Sequence, residues 1–209
     1  MARGFRRRGS GDHVRYTAQL DALERATVAG LMDQVHDLLD PRPLPDAGGG
    51  GADDDFASIV AGLGMGVTLA VEDQADLDAS AAQRDPALDR LLPTANREDD
   101  EAAAEFRRLT ETGLRRRKAA GLLLAATTLR GDEDKVRLDE DGARAFLVAL
   151  TDVRLVLGER MGLRTDEDVE VLEAAAQDLD PDDPLGYALA VYDFLTWLQE
   201  TLASAMLVP

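Results

Sequence analysis

The chain has no cysteine among its 209 residues. Disulfides, thiolate nucleophiles, cysteine metal sites and thiol redox switches are therefore excluded. Aromatic residues make up only 4% of the chain, while Ala and Leu dominate. Strands favour β-branched and aromatic side chains, so this poverty points to helices. There are two histidines, His13 and His36, far apart in sequence, and no His-Glu-x-x-His run. The four serines are Ser10, Ser58, Ser80 and Ser204, and none sits in a G-x-S-x-G elbow. The longest apolar stretch, Phe56 to Val71, is too short and too rich in glycine to span a bilayer. No apolar signal core follows the N-terminal arginines, so the expected address is cytoplasmic, with no membrane contact.

What the chain does have is acid. Its formal net charge is −18. Residues 1 to 20 reverse the sign: Arg3, Arg6, Arg7, Arg8 and Arg15 stand against Asp12 alone. A second basic run, Arg115, Arg116, Arg117 and Lys118, lies mid-chain. Charge segregated in this way marks candidate docking surfaces. The average field repels phosphate backbones, so any nucleic-acid contact has to be local.

The periodicity predicts a mainly α fold: a bundle of four to five main helices with a small N-terminal β-hairpin or sheet. Phe5 to Arg8 and His13 to Ala18 flank Gly9-Ser10-Gly11 and read as a hairpin. Asp21 with Glu24 forms a capping-box pair at the start of the first helix. Its expected inner face is Leu20, Leu23, Thr27, Leu31, Val35 and Leu38. Residues 40–84 run from Pro-rich to Gly-rich to acidic and read as a flexible insertion in one domain, with a short apolar segment at 56–66.

Pro86 to Leu92 predicts a short helix, and a long one runs from about Asn96–Asp99 to Leu129. In that helix Ala102, Phe106, Leu109, Gly113, Ala120, Leu124 and Thr127 share one stripe, assigned to the core. Its last third is apolar all round and is expected to be central. Lys135 to Leu138 reads as a strand and Asp139 as the cap of a helix to about Met161. A further helix starts at Thr165 or Asp166, and Asp183-Pro184 opens the last one. That last helix is apolar on most sides, which suggests a homodimer interface. Strands near 5–8, 13–18 and 135–138 are able to form one sheet, each supporting a helix.

Candidate binding residues follow from the charge map. Arg6, Arg8 and Arg15 on the hairpin face DNA phosphates or an acidic protein in one reading. In the other they neutralise the chain's own acid and keep an edge strand soluble. At 100° per residue, Arg107, Arg108, Arg115 and Lys118 fall opposite the apolar stripe, as a binding strip or a solvated face. Arg116 and Arg117 then flank the stripe and are expected in structural ion pairs. Arg154, inside its own helix's apolar stripe, calls for a buried carboxylate partner, or joins Arg160 and Arg164 in an anion-binding groove.

Metal, catalytic and cofactor sites are not expected. Asp139-Glu140-Asp141-Gly142 and the run Asp178, Asp180, Asp182 fail calcium-loop spacing and read better as helix starts. Gly62-x-Gly64-x-Gly66 lacks the Lys-Ser/Thr ending and the third dinucleotide glycine.

Four stretches carry a family resemblance: FRRRGSGDHVRYTAQLDALERATVAGL, DPALDRLLPTANREDDEAAAEFRRLTETGLRRRKAAGLLLAATTL, VRLDEDGARAFLVALTDVRLVLGERMGLRTDED and YDFLTWLQETL. They resemble an actinobacterial family catalogued as a domain of unknown function and named for an oxidative-stress transcriptional regulator (AosR-like). The resemblance implies a cytoplasmic regulator acting through transcription-machinery protein or DNA. Its members are often encoded beside the adaptor of the Clp protease, which implies a second reading, an interaction module of that system. The absent cysteine departs from any thiol-based sensing, leaving the five methionines as alternative redox groups.

Overall fold

The computed structural model describes residues 2–40, 85–93, 100–131, 134–165 and 183–207, together with 167, 168, 171, 172 and 174. The expected insertion at 40–84 and its apolar segment at 56–66 lie, apart from Asp40, outside the described residues. Residues 167, 168, 171, 172 and 174 are helical, within the stretch where a helix was expected.

The chain opens with strand β1 (Arg3–Arg8), a single 3₁₀ turn at Gly11–His13, and strand β2 (Arg15–Gln19). Gly9, at φ 79°, makes the reversal possible: a Cβ there would stand 2.4 Å from the His13 carbonyl oxygen. Helix α1 (Ala22–Leu39) follows. Its capping box is complete, with Glu24 N–H donating to Asp21 Oδ1 at 2.9 Å and Asp21 N–H to Glu24 Oε2 at 2.8 Å. Helix α2 (Pro86–Leu91) is short, capped by Asp85 with proline in its first turn. Helix α3 (Asp100–Leu129) is the longest element, and strand β3 (Lys135–Leu138) comes next. Helices α4 (Glu140–Arg160) and α5 (Pro184–Leu207) complete the fold.

The sheet is antiparallel with order β1-β2-β3. Strand alternation buries Phe5, Tyr16, Ala18, Val136 and Leu138 against the helices. α5 lies along β1, where Phe5 N–H donates to Thr201 Oγ1 at 3.1 Å. Phe5 also meets Phe146 of α4 edge-on, at 5.6 Å between ring centres. The core inside the helices is built on Leu20, Val28, Met32, Leu122, Leu129, Phe146, Leu150, Leu195, Leu198 and Leu202.

α1 and α3 are the most extensively packed pair of helices, and each end is tied by an arginine of the other. Arg25 of α1 donates to the carbonyls of Leu129 (3.3 Å) and Gly131 beyond the end of α3. Arg115 of α3 donates to the Leu39 carbonyl at the end of α1, at 3.3 Å. A cation at a helix C-terminus satisfies orphan carbonyls and opposes the negative end of the dipole.

One expectation fails, and several others fail with it. The stripe assigned to the core of α3 faces outward: Phe106, Leu109 and Leu124 are about half or more exposed, at 52%, 67% and 53%, and Gly113, Ala120 and Thr127 are exposed too. The buried face is instead Ala119, Leu122, Ala125, Ala126 and Leu129. Both faces of this helix are apolar in sequence, so its phase is not set by hydrophobic periodicity; packing against α1 and α4 sets it. Consequently the last third of α3 is not buried all round, since Leu123 is also exposed. Leu23 of α1, expected inside, is exposed as well. In α5, Leu189, Leu195, Leu198 and Leu202 are buried, and the helix packs on β1 and α4, so most of its apolar surface is already used within the chain.

Candidate functional site

The solvent face of the sheet is built by strand alternation and register. Opposite the buried side chains of β2, Arg15, Thr17 and Gln19 point outward; opposite Val136 and Leu138, so do Lys135 and Arg137. In register, Arg8 pairs with Arg15, Arg6 with Thr17, and Thr17 in turn with Arg137. Arg3 pairs with Gln19, and Gln19 with Lys135. A register shift between Arg3 and Arg6 lets both face solvent. The face therefore carries Arg3, Arg6, Arg8, Arg15, Lys135 and Arg137 with only Thr17 and Gln19 between them. Among the described residues, six of these eight side chains are cationic and none is acidic, and of the six Arg137 is engaged in a contact of its own.

Part of this face is a shallow depression of about 240 Å³, lined by Arg3, Arg6, Arg8, Thr17, Gln19 and Lys135 among others. Neighbouring strands lie ~4.8 Å apart, so these charges repel one another at close range. Arg8 directly opposite Arg15 is a like-charge cross-strand pair, which is destabilising on its own. An anion seated on the face relieves that repulsion. Among the described residues no aromatic side chain stands on it, so they offer no stacking platform for unpaired bases. What it offers is charge-assisted hydrogen bonding to phosphates or carboxylates.

The hairpin residues Arg6, Arg8 and Arg15 are thus brought together, and exposed. Arg7 turns to the other side and is half-buried. Arg3, Lys135 and Arg137 join them although sequence reasoning did not place them there. The signal was present in the alternation of Lys135-Val136-Arg137-Leu138, but the strand's neighbour was not.

The helix strip is not part of this surface. Arg108 is ion-paired to Glu105 at 2.7 Å, and this contact lowers the Glu105 carboxyl and raises the Arg108 guanidinium. Arg115 is paired to Glu111 at 2.8 Å and Lys118 to Asp152 at 2.5 Å. Nothing is described of the Arg107 side chain. Arg115 and Lys118 flank the buried face of α3, whereas Arg116 and Arg117 are exposed and, among the described residues, make no ion pair. The expected roles are exchanged, because the helix is turned about half a revolution from the assumed phase.

Arg154 also departs from expectation. Its partners are neutral: Nη1 donates to Gln199 Oε1 at 2.9 Å and Nη2 to Tyr192 Oη at 3.3 Å. The guanidinium lies 5.0 Å from the Tyr192 ring centre, within cation–π range. An amide, a phenol and a π face take the place of the expected carboxylate. Arg160 binds Asp85 at 2.5 Å and Arg164 binds Glu159 at 3.2 Å, so that pair is neutralised rather than open to an anion.

Among the described residues no group of three or more His, Cys, Asp or Glu side chains is placed to hold a metal ion. Among them, too, no helix is long and apolar enough to cross a membrane. Of the methionines described, Met32 and Met161 are buried and Met206 is partly so.

A mostly helical domain whose small sheet presents a cationic face describes a class of fold, and one family covers it. The chain belongs to the family described as a domain of unknown function (DUF2017), which matches residues 2–206. No curated protein and no solved structure matches the chain.

Proposed function

We propose that this chain is a cytoplasmic, non-enzymatic regulatory protein that acts on transcription by docking an anionic partner on the sheet face. The partner is promoter DNA or an acidic surface of the transcription machinery. The observation that carries this reading is five cations, Arg3, Arg6, Arg8, Arg15 and Lys135, on a single sheet face of a chain with net charge −18, with no carboxylate between them among the described residues. It accords with the resemblance to actinobacterial oxidative-stress regulators. A stress response here does not run through a thiol, since there is none.

The acidic remainder repels extended polyanions, so the contact is short and selective, and it weakens with salt. The test is a pull-down of RNA polymerase components and of promoter DNA with wild type and with Arg6→Ala/Arg8→Ala/Arg15→Ala. Binding is expected to be lost in the triple variant; unchanged binding removes the sheet face from the proposal. A second reading, an interaction module of the Clp adaptor system, rests on the apolar sequence at 56–66. Deleting 41–84 separates the two: a Clp contact is lost, while a polymerase or DNA contact on the sheet is retained.

A further inference from the structure

The outward face of α3 has the spacing of a coiled-coil seam. Phe106, Leu109, Gly113, Arg116, Ala120 and Leu123 follow one another at alternating intervals of three and four, and all six are exposed. With the adjoining Leu124, the large apolar side chains of this face leave on the order of 400 Å² open, a size that on a monomer is often functional. From Leu114 onward the helix buries the opposite face against α1 and α4, so the core formed by the described residues makes no use of this one.

We propose that this seam is the interface of an antiparallel homodimer, α3 against the α3 of a second copy. The sequence of sizes is self-complementary in that direction. When Phe106 of one copy faces Leu123 of the other, Leu109 faces Ala120 and Gly113 faces Arg116. Each contact sets a large side chain against a smaller one, and the Arg116 stem crosses a glycine with no side chain to displace it. Two-fold symmetry repeats the same three contacts, as an isologous interface requires. A parallel pairing sets Phe106 on Phe106, Gly113 on Gly113 and Arg116 on Arg116, which leaves a hole beside two cations in contact.

Because the chain has no cysteine, the register is directly testable in the full-length protein. Sedimentation velocity of the wild type is expected to show a dimer, and Leu109→Lys/Leu123→Lys a monomer with an unchanged circular-dichroism spectrum. Phe106→Cys and Leu123→Cys, mixed and oxidised, are expected to give mainly the mixed 106–123 disulfide. Residues 106 and 123 are ~26 Å apart along one helix, so the 106–106 product is disfavoured. A wild type monomeric at every concentration overturns the proposal. So does a dimer indifferent to the two lysines, or one in which the 106–106 product prevails.

Discussion

Lys118 Nζ stands 2.5 Å from Asp152 Oδ1, joining α3 to α4 at a point where Asp152 is only 1% exposed. Burial pushes the Asp152 carboxyl up, and the hydrogen bond and charge of Lys118 offset this only in part. The second oxygen, Oδ2, is buried with no hydrogen-bond partner among the described residues. The pair is thus half-satisfied, and its worth is conditional on both members being present.

Lys118→Met leaves a buried carboxylate alone and is expected to cost ~3–5 kcal/mol near neutral pH. A folded pKa above the unfolded one means the native state holds the proton more tightly. That contribution is complete below the unfolded pKa and lost as pH rises through the folded value. Without Lys118 the upward shift grows, so the deficit is expected to narrow on acidification. Urea unfolding across a pH series measures it, and Lys118→Met/Asp152→Leu is expected to recover most of the loss at every pH.

Glu159 behaves in the opposite sense. Hydrogen bonds from Arg90 (2.7 Å) and Arg164 (3.2 Å) hold its carboxyl below the usual range, against the opposing effect of burial. Its stabilisation is present above the unfolded pKa of ~4.3 and is lost as pH falls through the depressed folded value. Glu159→Gln is expected to lower stability by ~1.5–3 kcal/mol at neutral pH and to flatten the acid limb of the unfolding curve.

At the α5–β1 contact, a Cβ on Gly4 would lie 2.5 Å from Thr201 Cγ2. Gly4→Ala is expected to cost ~1–3 kcal/mol, because backbone or helix has to shift. Thr201→Val removes the acceptor of the Phe5 N–H and is expected to cost ~1–3 kcal/mol for that reason. Thermal melts compare the two with Gly4→Ala/Thr201→Ala, in which the contacts with Cγ2 and Oγ1 are gone, the 2.8 Å approach to the residue-201 Cβ stays and the hydrogen bond is still missing.

For the docking face, one substitution on each cationic surface is decisive. Lys135→Glu is expected to weaken partner binding about tenfold or more and to reduce its salt dependence. Arg108→Glu, on the ion-paired helix surface, is expected to leave it unchanged. Equal losses from both would mean that overall charge, not the sheet, governs association.

Much of the fold was legible because its signals are local. The Asp21–Glu24 capping box, the Asp139 cap with Gly142 N–H at 2.8 Å, and the Asp183-Pro184 start all formed as read. Helical spacing marks Ala143, Phe146, Leu147, Leu150, Val153 and Leu157 as the core stripe of α4, and all are buried except Leu147, which is half-buried. That helix has one apolar face. α3 has two, and there the reading failed, carrying Arg115, Arg116, Arg117 and Lys118 with it. The candidate site was half legible: Arg6, Arg8 and Arg15 lie within one hairpin, whereas Lys135 and Arg137 arrive from more than a hundred residues away.

By itself, then, the sequence determined the kind of each element, its start, and the absence of thiol chemistry. These depend on residue types and on contacts within a few positions along the chain. Only the tertiary structure decided which side of α3 is inside, which arginines are spent on Glu105, Glu111, Asp85 and Glu159, and which cations share a sheet. Those outcomes turn on what packs against each element, and a helix apolar on two faces or a four-residue strand leaves that choice to its neighbours.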